Sequence, residues 1–280
     1  MPEYINGGTE KLHELARQNR KKYAAAEPFP HIQFDNFFNE GKLKEILAEF
    51  PSLIKTDATK FNNQNEKKLA SKGEYLFGEQ TKVFMHFLNS QPFLEFLEIL
   101  TGIENLIPDP QFSGGGYHEI MPGGFLKVHA DFNKHPVYKL DRRLNVIIYL
   151  NKNWEDSFGG AFELWDKDMK GMVASVMPLF NRMVVFSTND FSFHGHPNPL
   201  TAPEGRSRKS LALYYYTNGR PAHEINHGLE NHSTLFKARP GAGEKVEDSL
   251  FSKNSLKNMV LEITPPILIK AAKSILKGKK

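Results

Sequence analysis

The sequence contains no cysteine. That excludes disulfides, thiolate catalysis and cysteine-ligated zinc, so any metal must sit on His, Asp or Glu. No apolar run reaches the roughly 18 residues that mark a transmembrane helix. The first thirty residues are polar and lack an apolar signal-peptide core, so the expected compartment is the cytoplasm. The body of the chain also lacks a basic excess. Residues 231–280 hold ten Lys/Arg and four Asp/Glu, a net of +6 within a total of +4, so residues 1–230 net −2. A nucleic-acid-binding core would carry its own basic face, and nucleic acid is therefore not expected as a partner. Internal repeats at solenoid periods and long low-complexity tracts are absent as well.

What is there is globular in character. The 280 residues are 40% hydrophobic and 24% charged, ample for a sizeable core. Leu12, Leu15 and Ala16 share one side of a helix over residues 10–23. "EPFPHIQFDNFF" reads as an extended segment after two prolines. "EGKLKEILAEFP" spaces Leu43, Ile46, Leu47 and Phe50 helically, with Pro51 as the stop. Residues 55–80 are polar and read as a long loop or lid. "NSQPFLEFLEILTG" reads as a helix capped by Ser90, with Pro92 in its first turn and Gly102 at its end.

After Gly102 the pattern changes. Seven short strand-like runs follow between residues 111 and 217: "GYHEIM", "FLKVHA", "LNVIIYLN", "AFELWD", "MVASVM", "RMVVFST" and "SLALYYYT". Turn signals such as "PGG", "DSFGG" and "NGRP" separate them. Many short strands argue for an all-β sandwich or barrel. Helices precede the strands instead of alternating with them, which disfavours a βαβ fold. The expected organisation is helical support and a lid region over 1–104, a β core over 105–222 and a basic tail over 223–280. In that tail Leu268, Ala272, Ile275 and Leu276 share one helical face, opposite Lys270, Lys273 and Lys277. Two accounts are open for this basic amphipathic helix: docking on the body with its lysines in water, or contact with an anionic membrane surface.

Three stretches could carry metal chemistry. "KVHADF" holds His129-x-Asp131. Residues i and i+2 of a strand point the same way, so an imidazole and a carboxylate can converge at the strand's end. "FSFHGHP" adds His194, with His196 as a close competitor. Two histidines and a carboxylate form the facial triad of non-heme Fe(II) oxygenases. Taken alone, H-x-D recurs by chance. "HEINH", His223 to His227, matches the H-E-x-x-H zinc peptidase signature, with Glu224 as general base. That signature needs a helix, and its flanks, "TNGRPA" and Gly228, do not supply one. Finally, Arg208 opens the apolar strand "RKSLALYYYT". A buried arginine is costly unless paired, and its planar fork suits a carboxylate. No acid in the chain obviously serves, so a ligand carboxylate is the natural partner. Arg206 is the alternative candidate.

These pieces, in order, resemble the Fe(II)- and 2-oxoglutarate-dependent dioxygenases of the prolyl 4-hydroxylase type. The resemblance covers residues 111–217: "HAD", "RRLNVIIYLNKNW", "GGAFELW", "PLFNRMVVFST", "FHGHP" and "RKSLALYYY". It implies mainly β architecture with flanking helices, the core being a double-stranded β-helix, or cupin-like jelly roll. It implies that His129, Asp131 and His194 bind Fe(II), and that Arg208 and Tyr149 hold the distal carboxylate of 2-oxoglutarate. Tyr214 and Phe162 match pocket-lining positions. The cofactors would be Fe(II), 2-oxoglutarate and O2, with ascorbate as accessory reductant. The reaction would hydroxylate an unactivated C–H bond and release succinate and CO2. The acceptor would be a peptide residue, an amino acid or a small biosynthetic intermediate. Members often carry a tyrosine eight to ten residues before the first histidine, where this chain offers Glu119 and Met121, with Tyr117 nearby. The basic loop "FNKHPVYKLDRR" and residues 55–80 are expected to frame the acceptor site, with the loop's charges in solvent. A non-catalytic jelly-roll binding module and a zinc peptidase using "HEINH" stay open as alternatives.

Overall fold

A computed structural model describes residues 4–5, 8–224 and 231–247. Four helices form a layer at the N-terminal side. α1 (Gly8–Ala24) buries Leu12, Ala16 and Tyr23 and packs on α4 (Gln91–Thr101). α2 (Glu40–Glu49) starts where the Asn39 side chain accepts from the Lys42 N–H, and it buries Leu43 and Ile46. α3 (Glu79–Leu88) was not expected, because its first turn is charged and continues a polar stretch. Thr81, Phe84, Met85 and Leu88 nonetheless give it a buried stripe at i, i+3, i+4 and i+7. Its presence also corrects the cap of α4. The Ser90 hydroxyl donates to the Phe87 carbonyl of the preceding helix and caps nothing by its side chain. Gly102 does end α4, at φ +73°.

The remaining elements are strands: β1 (His31–Asp35), β2 (Thr59–Asn62), β3 (Glu66–Ala70) and β4 (Ile107–Pro108) come first. β5 (Gly116–Ile120), β6 (Phe125–Ala130), β7 (Asp141–Tyr149) and β8 (Phe162–Trp165) follow. β9 (Met172–Val176), β10 (Arg182–Ser187), β11 (His194–His196), β12 (Arg208–Thr217) and β13 (Leu235–Phe236) complete the set. All pairings are antiparallel, in the order β1-β10-β7-β12-β5-β3-β6-β11-β8-β9. The sheet is a nearly closed, barrel-like jelly roll, as the strand pattern implies. All seven strand-like runs are strands.

Residues 55–80 correct the loop reading. They contain the β2–β3 hairpin, turned by the Asn63 side chain, which accepts from the N–H groups of Asn65 and Glu66. β3 then bridges β5 to β6. The polar letters misled because one face of this hairpin meets a wet cleft instead of a dry core.

Strand alternation divides the structure into two sides. Leu211, Leu213 and Tyr215 of β12 and Tyr117 of β5 face the helices, joining Phe84, Phe93, Phe96, Leu97 and Leu100 in the main core. Each such side chain contributes about 1.5–3 kcal/mol on full burial, so the back of the sheet is held firmly. Arg208, Ser210, Ala212 and Tyr214 of β12, with His118 of β5, face the barrel interior. Residues 231–247, read as tail, lie along β6, where β13 pairs with His129 and Ala130. Most of "HEINH", from residue 225 on, and the amphipathic helix around residues 268–277 lie outside the described residues. Among the described residues no helix is long and apolar enough to cross a membrane.

Candidate active site

His129 is the penultimate residue of β6, and Asp131 follows its end. On the neighbouring strand β11, His194 pairs directly with His129, while His196 pairs with Leu126. Three steps along β6 therefore face two along β11, a bulge that re-aims side chains. Gly195 permits the close approach. A Cβ there would lie 2.8 Å from the Leu126 carbonyl oxygen and 2.9 Å from that of Lys127.

The result is one cluster. Ligand atoms of His129, Asp131 and His194 all lie within 4.8 Å of one another. Each histidine gives its Nδ1–H to a backbone carbonyl, His129 to Lys127 and His194 to Ser192, both at 2.8 Å. A carbonyl can only accept, so each Nε2 keeps its lone pair, aimed at the cluster centre. Those Nε2 atoms sit 3.6 and 3.4 Å from the Asp131 carboxylate. Burial and the nearby His194 lower the pKa of His129, which favours the neutral form that a metal requires. The rings of Phe162 and Phe186 flank His194, and Phe236 flanks His129, so the cluster has a dry wall.

Asp131 is held from the other side. Its Oδ2 accepts from Asn145 Nδ2 at 2.8 Å and pairs with Arg142 Nη2 at 3.1 Å. Both donors take Oδ2, which leaves Oδ1 as the candidate ligand atom. Burial acts to raise the Asp131 pKa, but Arg142 and the histidines hold it well below the usual carboxylate range.

Arg208 lies deeper in the same interior and is 5% exposed. Its Nε donates to the Gly160 carbonyl at 2.8 Å and its Nη2 to the Tyr149 hydroxyl at 3.2 Å. No Asp or Glu among the described residues pairs with it. Three of its five N–H groups are left over, and so is the hydroxyl proton of Tyr149. Arg206, the competitor, is spent outside on the carbonyls of Lys152 and Asn153. An inner cavity of about 80 Å³ holds the triad, Arg208 and Phe162. An outer cleft of about 560 Å³ shares His129, Asp131, Arg142 and Tyr214 with it. The triad thus stands between an inner site that favours an anion and an open cleft.

Residues 115–216 match the family model described as the 2OG-Fe(II) oxygenase superfamily. This segment belongs to that superfamily. A prolyl 3-hydroxylase OGFOD1 from Mus musculus is 34% identical over 200 residues, covering 68% of this chain and 33% of that protein. A prolyl 3,4-dihydroxylase OGFOD1 from Ostreococcus tauri is 25% identical over 239 residues, covering 79% of this chain and 44% of that protein. The chain therefore spans a third to under half the length of these curated relatives. Among solved structures, a prolyl-4-hydroxylase from Pseudomonas putida superposes with a TM-score of 0.54 at 18% identity. That match covers 73% of this chain and all of the bacterial one, and it shows the shared fold.

The oxygenase cofactors are Fe(II), with 2-oxoglutarate and O2 as cosubstrates, and the donor set fits them. Two imidazoles with free Nε2 lone pairs and one carboxylate suit a divalent iron with open positions. Around this candidate site one open question is answered and one expectation is corrected. First, Tyr117, left open as a cosubstrate contact, faces away from the cavity. Its hydroxyl donates to Thr81 Oγ1 and its ring packs on Phe50 and Phe77. The adjacent His118 is the residue of β5 that lines the cavity, and burial drives its pKa down to about 3. Second, of the basic side chains of "FNKHPVYKLDRR" only Lys139 is left to solvent. Lys134 pairs with Asp141, Arg143 with Glu224, and Arg142 is 1% exposed between the Phe132 and Tyr214 rings.

Arg142 and Asn145 are the site residues that sequence reasoning missed. Counting every second residue back from Tyr149 selects Ile147, Asn145 and then Arg143. A register shift at Tyr215/Tyr216 breaks the count and turns Arg142 inward instead. Asn145, by contrast, was reachable by that count. As for "HEINH", only its first two residues are described. His223 is exposed, Glu224 is engaged by Arg143, and both sit in a three-residue 3₁₀ turn. That is not the helix a zinc peptidase needs.

Proposed function

We propose that this chain hydroxylates an unactivated C–H bond of a prolyl residue in a polypeptide, using Fe(II), 2-oxoglutarate and O2 and releasing succinate and CO2. His129 and His194 hold the iron through Nε2, and Asp131 through Oδ1. With its cosubstrates bound, the iron supplies the oxidising power for C–H cleavage. Arg142 and Asn145 fix the Asp131 carboxylate so that it reaches the iron with one oxygen. Arg208 offers its remaining N–H fork to the distal carboxylate of 2-oxoglutarate, and Tyr149 adds its hydroxyl proton. Phe162 and Tyr214 shape the cavity on either side.

The observation that carries this reading is Arg208: buried beside the triad, with donors to spare and no protein carboxylate. The prolyl acceptor is supported by what the mouse and algal relatives are named for. It is also supported by the outer cleft, whose edge carries Phe61, Tyr75 and Phe132, as an extended peptide would want. The test measures succinate release with Fe(II), 2-oxoglutarate and ascorbate across proline-containing peptides, free amino acids and small metabolites. Asp131→Ala should abolish release, and Arg208→Leu should raise the 2-oxoglutarate requirement steeply. Full succinate release by Asp131→Ala would sink the reading; turnover with free amino acids alone would move the acceptor.

A further inference from the structure

His196 is a polar side chain in the inner cavity that has no role so far. It is 4% exposed, and neither ring nitrogen has a hydrogen-bond partner. Buried polar groups in native proteins are nearly always paired, and those that are not often await a ligand. The bulge between His194 and His196 turns both rings into the same cavity. A packed core histidine would show at least one bond to its surroundings, as His129 and His194 do.

The neighbours narrow the choice of partner. A neutral imidazole presents one N–H and one lone pair. The cationic side chains lining the cavity with it, Arg142, Arg208 and Lys68, only donate, so they cannot receive the His196 proton. Lys68 is moreover committed to Glu66 at 3.0 Å. The missing partner is therefore an acceptor, and it shares a cavity with the unspent N–H groups of Arg208. An oxygen-rich anion satisfies both residues at once.

We propose that His196 donates a hydrogen bond to the cosubstrate dicarboxylate, acting as a binding residue beside Arg208. The inference rests on the reading of the inner cavity as the 2-oxoglutarate site. His196→Val removes the donor and keeps an apolar filler, while His196→Asn keeps a donor at a similar distance. The measurement is calorimetric binding of 2-oxoglutarate to the full chain loaded with Mn(II), so that no turnover enters. The expected result is a Kd raised about tenfold or more in His196→Val, as for loss of a hydrogen bond to a charged group, with partial recovery in His196→Asn. Mn(II) affinity should stay as in the wild type. A second measurement needs no variant. In the Zn(II)-loaded wild type, the ring ¹⁵N resonances of His196 should shift when 2-oxoglutarate is added. An unchanged Kd in His196→Val, or unmoved His196 resonances on saturation, overturns the proposal and leaves an ordered water as the partner. Failure of the wild type to bind 2-oxoglutarate at all overturns the reading of the cavity itself.

Discussion

Replacing Gly195 with alanine should separate the two histidines without touching either. The new Cβ would meet the Leu126 carbonyl oxygen at 2.8 Å, the Lys127 oxygen at 2.9 Å and the Lys127 carbonyl carbon at 3.0 Å. All three are backbone atoms of β6, so no side-chain rotation relieves the clash. Gly195 is not among the residues of positive φ, so the cost is one of space alone. Ordinary contact begins at 3.4 Å, so β11 has to retreat from β6 by about 0.6 Å. Because His194 pairs with His129 across this strand boundary, that retreat falls between two candidate iron ligands. Sites of this kind tolerate about 0.5 Å of displacement. A misplacement of about 1 Å can cost about 100-fold, so a loss of about tenfold is expected. Overpacking should also lower stability by about 1–3 kcal/mol. Mn(II) titration by calorimetry and urea unfolding read the two effects. Gly171→Ala is the control, since nothing lies within 4 Å of its Cβ position. A Gly195→Ala protein that binds metal and unfolds like the control would refute the argument that strand spacing sets the site.

Other perturbations follow from the same geometry. In the metal-free protein, Asp131 has a pKa held below its unfolded value, with Arg142 as the chief lowering influence against burial. Such a carboxylate stabilises the fold above its unfolded pKa, and this stability is lost as pH falls through the folded pKa. Arg142→Met should therefore move acid unfolding, followed by circular dichroism, to higher pH; an unmoved midpoint counts against the pair. Tyr149→Phe removes one hydroxyl that accepts from Arg208, and should weaken 2-oxoglutarate binding by about three- to tenfold, as for one ordinary hydrogen bond. His232 is buried and bonded through Nε2 to Asp190 at 2.9 Å, while its backbone N–H donates to Asn133 Oδ1. His232→Phe should cost about 1–3 kcal/mol in urea unfolding, because a buried carboxylate loses a donor. Wild-type stability in that variant would mean that residues 231–247 add nothing to the barrel.

The sequence made the strands legible because most of them bury one face in a continuous core. "RKSLALYYYT" alternates Leu211, Leu213 and Tyr215 toward the helices with Arg208, Ser210, Ala212 and Tyr214 toward the interior. The β2–β3 hairpin and α3 were not legible for the opposite reason. Glu66 and Lys68 serve a wet cleft, and the charged start of α3 hides a stripe that emerges only at Phe84 and Met85. Hydrophobic periodicity reports burial, so it is silent where an element borders a site.

The same limit explains which site residues could be read. His129 and Asp131 are two apart, so a simple alternation carries them to the same point. Arg208 stood out because an apolar strand has no other use for a guanidinium. Arg142 escaped because a register shift, invisible in the letters, exchanges it with Arg143. Whether Tyr117 or His118 faces the cavity stayed open for the same reason, since a single step of register moves a side chain from cavity to core. Bulges and register shifts are thus where this barrel departs from regular counting, and two of them adjoin the candidate iron site. One, between His194 and His196, brings a second histidine into the cavity; the other, at Tyr215/Tyr216, puts Arg142 behind Asp131. The irregularities that defeat prediction from sequence are the same ones that assemble the chemistry.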